Sequence, residues 1–451
     1  MTQKHLIPLL LLPLLTVPAA QAEVKLAAVG QVSGHYQDMS ARTAGPLESG
    51  VAGNMLGGVG SGLAYAGGNT FLALPDRGPN ANEYNALIDN TTSYINRFQT
   101  FNLALAANPA YDASVSGSLP YTLSPFLIDT TLLSNKTPLK YGVDGAPALN
   151  AAGKYYFTGR SDNFGVGKNS TFANNGRLDP EGIRVSADGK SVFITDEYGP
   201  YVYQFSRSTG KRIKAFTLPA HYTAASLSAQ GDMEISGNTV GRIANKGMEA
   251  LAITPDGKTL VGMMQQNLAQ DAKKYLRIIT IDIASGATHE YAYNLTDGSS
   301  VSDILAINNH EFLVDERDGS GLGNGDSAVV KKLFKIDLDG AAEITTPTIG
   351  SGTPLVSKTL FLDVVAALNA NGITSDKIPA KLEGAAFGPD LVADNVSKHT
   401  LFIACDNDFL PSVNGIDNPN QFFVFTIDGA DLPHFVPQSI APLSGDNHDH
   451  G

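Results

Sequence analysis

The chain has no tryptophan and one cysteine, Cys405, among 451 residues. A single thiol excludes an internal disulfide, and a strand position for Cys405 predicts a buried, inert side chain. Without indoles, any sugar-stacking platform would have to be built from tyrosine and phenylalanine. After the first two dozen residues every apolar run is strand-length, whereas a membrane-spanning helix needs about 20 residues, so no transmembrane anchor is expected. Helical periodicity is nearly absent, with Asn82–Ile88 and Leu362–Ala370 as the short-helix candidates. Cations are scarce: 31 Lys and Arg against 44 Asp and Glu give a net charge of −13, which excludes a nucleic-acid partner that would need clustered Lys and Arg. Also missing are a G-x-S-x-G elbow, a P-loop, an H-E-x-x-H helix and a C-x-x-C pair.

The apolar residues that do cluster lie at the start. Lys4 and His5 precede the run Leu6 to Ala19, which carries Pro8, Pro13 and Pro18 and ends at Ala20-Gln21-Ala22. This is the pattern of a secretory signal, residues 1–22, with cleavage near Glu23. A periplasmic or extracellular protein follows, with one domain over 23–443 and a polar, frayed tail over 444–451.

What is abundant is turn chemistry. Gly 46 and Pro 24 bound short Val/Ile/Phe/Leu/Tyr runs, as in antiparallel β structure. One hairpin recurs: Gly62–Tyr65 leads to Phe71–Arg77, Glu181–Arg184 to Val192–Tyr198, Glu249–Ala252 to Leu260–Gln265, and Glu383–Ala386 to Leu401–Asn407. The first three copies align without gaps, placing Ser61 and Glu249 on Glu181 and Gln265 on Glu197. The fourth has an insertion at its turn. A fifth, Ser302–Arg317, has a shorter turn, and a sixth falls around Tyr155–Asn163. With intervening strand pairs such as Tyr201–Phe205 and Leu276–Asp282, each repeat makes a four-stranded antiparallel sheet of roughly 60–75 residues, the size of a β-propeller blade. We therefore expect an all-β propeller; six blades fit best and seven also fit.

Acids mark the open end of each hairpin. Counting from the Asp188-Gly189 turn, Glu181 faces Asp196, with Glu197 one step on. Opposed carboxylates repel unless a cation lies between them. Because propeller inner strands ring a channel, Asp76, Arg77, Glu181, Asp196, Glu197, Glu249, Asp315, Glu316, Arg317, Glu383 and Asp406 would converge on one mouth. Oxygen ligands without Cys or His select Ca²⁺ or another hard divalent ion such as Mg²⁺. The expected metal ligands are Glu181, Asp196, Glu197, Glu249, Glu383, Asp406, Asp76 and Asp315. Against this stands a structural role for each acid, capping its own blade through loop amides. Arg77 and Arg317 would either neutralise neighbouring carboxylates or clamp a substrate phosphate.

Asp179-Pro180-Glu181-Gly182-Ile183, Asp188-Gly189, Thr195-Asp196-Glu197-Tyr198-Gly199-Pro200 and Tyr201–Phe205 resemble the bacterial secreted family called esterase-like activity of phytase. The other hairpins resemble its further repeats, so the likeness covers most of the mature chain. It implies a propeller and, by the family's name, hydrolysis of phosphate or carboxylic esters.

The reading is thus a secreted, monomeric, Ca²⁺-dependent hydrolase of small phosphate esters. A non-catalytic propeller that binds a metal or small ligand is the alternative, and a carboxylesterase, lacking its nucleophile motif, the third.

Overall fold

The structure, a computed structural model, describes residues 24–79, 83–393 and 396–442. The leader (1–22) and the tail (444–451) lie outside these residues, as does Asn82. Among the described residues five antiparallel sheets form the body, four of them four-stranded and the fifth carrying a short extra strand, Leu391–Ala393, beside its four. Numbered along the chain, blade 1 comprises Gly62–Tyr65, Thr70–Leu74, Arg97–Ala107 and Tyr121–Leu132, and blade 2 comprises Ile183–Val185, Ser191–Asp196, Tyr201–Ser206 and Arg212–Thr217. Blade 3 uses Met248–Ile253, Thr259–Met264, Tyr275–Asp282 and Thr288–Asn294; blade 4 uses Ser300–Ala306, Glu311–Arg317, Lys331–Asp337 and Lys358–Asp363. Blade 5 is shared by both ends of the chain: Lys381–Phe387, Val396–Asp406 and Asn420–Asp428 run outward, and Val24–Val32 pairs antiparallel with Asn420–Asp428 as the outermost strand.

The first strand of each blade packs against the first strands of its two neighbours, which closes the ring. Each sheet is covered on both faces, so its central strands are apolar on both sides. Phe193 points to blade 3, among Val202, Met248 and Leu260, while Val192 and Ile194 point to blade 1, among Leu72 and Phe98. The core is accordingly split into five clusters, one per interface between blades.

Five blades replace the six, or seven, expected from repeat length. The sixth copy is not a hairpin of a blade: Tyr155-Tyr156 forms a two-residue ladder with Ser134-Asn135, and Thr158 bridges Ile95 and Arg177. These residues belong to a long connection between blades 1 and 2, which inflated the apparent repeat count. The second helix candidate is present as Val364–Ala370, capped by Asp363, whose side chain accepts from Ala366 N. Of the first, only a 3₁₀ turn at Ala86–Ile88 is seen, and a helical turn at Gly231–Ser236 had no clear periodicity to announce it. Among the described residues no helix is long and apolar enough to cross a membrane.

A small ring brings inner backbones close together. A Cβ on Gly384 would lie 2.7 Å from Gly62 C and from Leu63 N, and Gly384 N donates to Gly60 O at 2.6 Å across the seam between blades 5 and 1. The channel is also plugged. Arg184, on the inner strand of blade 2, donates to both oxygens of Asp303 of blade 4 at 2.9 and 3.0 Å, to Ile304 O at 2.9 Å and to Leu63 O of blade 1 at 2.7 Å. Asp303 in turn accepts from Ala385 N of blade 5 at 2.9 Å. The C-terminal segment covers the turn-side mouth, with Val436 N on Ile307 O at 2.8 Å and Ala441 N on Ala187 O at 2.9 Å. The acidic mouth is at the other end.

Candidate metal and substrate site

The hairpins deliver two columns of acids to the mouth, and their surroundings differ. Asp196 and Asp406 end second strands and Asp76 lies two residues past one, and each accepts the amide two residues on: Gly78 N at 2.8 Å, Tyr198 N at 3.0 Å and Asp408 N at 2.6 Å. These are Asx turns, in which a short carboxylate closes the loop onto its own backbone. Asp196 also accepts Asp179 N at 3.1 Å.

The glutamates precede or enter first strands. In blades 3 and 5 the pairing register slips by one residue at Glu249 and Glu383, from Met248↔Met264 to Ala250↔Met263 and from Leu382↔Cys405 to Gly384↔Ala404. Blade 4 slips between Val301 and Ile304. A β-bulge leaves one residue outside the ladder and re-aims its side chain, and here Glu249 meets Gln265 and Glu383 meets Arg317.

Two groups of carboxylates result. Single oxygens of Asp76, Asp179 and Glu181 lie within 4.8 Å of one another, and so do those of Glu181, Glu197 and Glu249. Glu197 accepts Gly247 N at 2.8 Å and Glu249 accepts Gln265 Nε2 at 2.9 Å. Glu181, only 7% exposed, accepts no hydrogen bond from the described residues. Burial, then the charges of Glu249, Asp179, Glu197 and Asp76, push its carboxyl well above the usual range. Burial and Asp406 do the same to Asp76, and burial with Glu197 and Glu383 to Glu249. Glu197 is raised by burial and Asp179.

The other expected ligands stand apart from these groups. Glu383 pairs with Arg317, whose guanidinium also lies 3.9 Å from Glu249, and burial holds Glu383 at about 7. Asp406 is bound by Lys381 at 2.9 Å. Asp315 accepts Ser302 Oγ at 3.1 Å, and burial raises it to about 7; Asp196 is likewise held at about 7 by burial. Glu316 is saturated by Tyr293 OH, Asp297 N, Gly298 N and Lys358. The mouth is therefore lopsided: its blade 4 and 5 side is neutralised by Arg317 and Lys381, and its blade 1 to 3 side concentrates the carboxylates.

Asp179 was not among the expected ligands, although Asp179-Pro180-Glu181 offered a signal: residues two apart in extended chain face the same way. Its carboxylate receives Arg77 N at 3.0 Å and Arg77 Nη1 at 2.6 Å. Arg77 bridges from this group to a cavity of about 190 Å³ that Tyr198, Ser161, Arg177, Glu234 and Asn245 also line. Arg177 is spent there on Ser161 O, Ser228 O and Glu234. Arg77 keeps a buried Nε without a partner. Cys405 is buried and burial pushes its thiol to about 12. Among the described residues no histidine ring bonds a serine hydroxyl; the rings of His221, His289, His310, His399 and His434 each face a carboxylate instead.

A curated relative from Arthroderma benhamiae, described as an uncharacterized secreted protein, is 31% identical over 328 residues, 59% of this chain and 60% of its own length. Of solved structures, Kuenenia stuttgartiensis hydrazine synthase aligns over 78% of both chains at 11% identity and TM-score 0.29. The β-propeller domain of Cps50 (Swd1) from Myceliophteria thermophila aligns over 49% of this chain and 50% of its own, at 11% identity and TM-score 0.22. Likeness at that level carries no weight beside the strand pairing itself. The phytase-like model, esterase-like activity of phytase, matches residues 54–409. That span begins ahead of the first hairpin and ends beyond Asp406, taking in both columns of acids: the chain belongs to the esterase-like activity of phytase family.

Proposed function

We propose that this is a secreted hydrolase of phosphate esters that works with a divalent cation, Ca²⁺ before Mg²⁺, held around Glu181. The observation that carries the reading is the Glu181 carboxylate: buried, without a hydrogen-bond donor among the described residues, and common to two groups of acids. A buried carboxylate left in that state is costly, and a hard cation bound by oxygens removes the cost. Family membership supports ester hydrolysis, and the secreted relative supports export.

A bound divalent ion supplies Lewis acidity toward a phosphoryl oxygen and a more acidic water. The chain's own part is positioning. Asp179 fixes Arg77 through two hydrogen bonds, so the guanidinium enters the adjoining cavity pre-oriented, where it can bind a phosphate and stabilise charge on it. Glu197 and Glu249 are oriented by Gly247 N and Gln265, which leaves their other oxygens for an ion. A carboxylesterase would need an activated nucleophile, and Ser61 Oγ donates only to Gly58 O at 3.2 Å.

The test is hydrolysis of a panel of phosphate and carboxylic esters with and without EDTA, followed by readdition of Ca²⁺, Mg²⁺ or Mn²⁺. Chelation should abolish phosphatase activity and Glu181→Gln should lower it at least about tenfold, of the order seen when one transition-state contact is lost. Full activity in excess chelator would overturn the metal. Metal-dependent thermal stabilisation with no turnover of any ester would assign a binding propeller instead.

A further inference from the structure

We infer that the mouth holds two divalent cations side by side, with Glu181 bridging them, rather than one. This rests on the metal reading above and goes beyond it in number, arrangement and division of labour. The two groups are distinct in the fold. Asp76, Asp179 and Glu181 come from blade 1 and the connection into blade 2, whereas Glu197 and Glu249 come from the end of the second strand of blade 2 and the first strand of blade 3. Glu181 is the member they share, and an ionised carboxylate has two oxygens with four lone-pair directions, enough for two ions.

Charge leads to the same count. Asp76, Asp179, Glu181, Glu197 and Glu249 carry five negative charges when ionised, and Arg77 is the cation bound directly to them, through Asp179. Arg317 reaches Glu249 only at 3.9 Å and is committed to Glu383, and Lys381 is committed to Asp406 and Asp408. The remainder, four negative charges, equals two divalent ions. One such ion would leave two buried charges uncompensated, and buried charges are paired or bound to metal. Independent of the clustering is the state of Glu181 itself, 7% exposed with no donor among the described residues. Asp76, Glu197 and Glu249 each have one oxygen engaged by Gly78 N, Gly247 N or Gln265, so they face the site already oriented, each with a second oxygen to offer.

The two positions are unequal. The Asp76–Asp179–Glu181 position abuts Arg77 and the cavity, which makes it the one that meets a substrate phosphate. The Glu197–Glu249 position joins the end of the second strand of blade 2 to the first strand of blade 3. Two ions held there would supply orientation of the ester and stabilisation of charge on the phosphoryl oxygens, with Asp76, Asp179 and Glu181 holding the one beside Arg77 and Glu181, Glu197 and Glu249 the other.

The experiment uses the full mature chain, stripped with chelator, then titrated calorimetrically with CaCl₂ and assayed for bound calcium after dialysis. The expected result is two ions per chain for the parent, one each for Asp76→Asn and Glu197→Gln, and at least hundredfold weaker binding of both for Glu181→Gln. Folding is checked separately: in EDTA, Glu181→Gln should melt no lower than the parent, because it removes a repelling charge, while Ca²⁺ should raise its melting temperature far less. One ion in the parent, lost alike in all three variants, would overturn the pair and leave the single-metal reading standing. No bound ion in the parent would overturn both.

Discussion

The Arg184–Asp303 plug gives the sharpest test of the architecture, because one pair of side chains ties blades 1, 2, 4 and 5 together. Arg184 and Asp303 are 7% and 1% exposed, and Asp303 is pushed up by burial and drawn back mainly by Arg184. Arg184→Met removes the cation and leaves Asp303 with only the amides of Ile304 and Ala385. Breaking a buried pair from one side costs about 3–5 kcal/mol. Unfolding entropy near 2.1 cal/mol/K per residue amounts to on the order of 0.9 kcal/mol per degree for a chain of this length, so Tm should fall by about 3–6 °C. The assay is differential scanning calorimetry of Arg184→Met, Asp303→Asn and the double variant at pH 7. Asparagine keeps an acceptor for the amides but removes the stranded charge, so the double variant should recover at least half of the loss. A single-variant Tm within a degree of the parent, or a double variant showing the sum of both losses, would refute the plug as a coupled unit.

Acidity should stabilise the metal-free chain. Asp196, Asp315 and Glu383 sit at about 7 and Asp76, Glu181 and Glu249 are raised as well, so between about pH 4.5 and 7 the folded state binds more protons than the unfolded one and stability falls as pH rises. In EDTA, Tm at pH 5.5 should exceed that at pH 8, and Ca²⁺ should shrink the difference; a Tm rising with pH across that window would contradict the assignment. Gly384→Ala would force a Cβ to within 2.7 Å of the Gly62 and Leu63 backbone, at a cost of about 1–3 kcal/mol or more, and should lower Tm and soluble yield; unchanged melting would show that the seam can part. Cys405 should resist thiol reagents in the native chain and react fully in denaturant, with rapid native labelling counting against its burial.

The hairpins, their turns and their order were legible because a doubly covered strand must be apolar on both faces, as in Val192–Ile194, and because Asp-Gly turns punctuate it. The blade count was not. Residues 133–182 and 218–247 are connections over the acidic face whose short apolar runs, Tyr155–Phe157 among them, imitate a repeat. The glutamate column was visible at Glu181, Glu249 and Glu383, but the separate duties of the two columns were not, since they depend on bulges at Glu249 and Glu383 that no side-chain alphabet announces. The Arg184–Asp303 pair was illegible for a different reason: it joins residues 119 apart in the chain, and its partners are mostly carbonyls and amides supplied by other blades.

Blade number and acid placement bear on each other. In a five-strand ring the inner backbones touch, as Gly384 and Gly60 do, so side chains leaving three successive blades meet at the mouth; a wider ring would hold the same residues further apart around water. Confinement of that kind raises the electrostatic cost of every uncompensated charge. Yet the compensating cations are not spread evenly: Arg317 and Lys381 are paired with acids of blade 5, and on the other side, among the described residues, Arg77 is the cation paired directly with the group, through Asp179. If the acids existed only to close loops, the Asx turns of Asp76, Asp196 and Asp406 would suffice, and nothing would be gained by adding Glu181 with no hydrogen-bond donor among the described residues. The asymmetry is what a cation diffusing into the mouth would sense, since the field there is set by the charges left unpaired, and on the proposed reading it would direct that cation to Glu181, beside the guanidinium that faces the cavity.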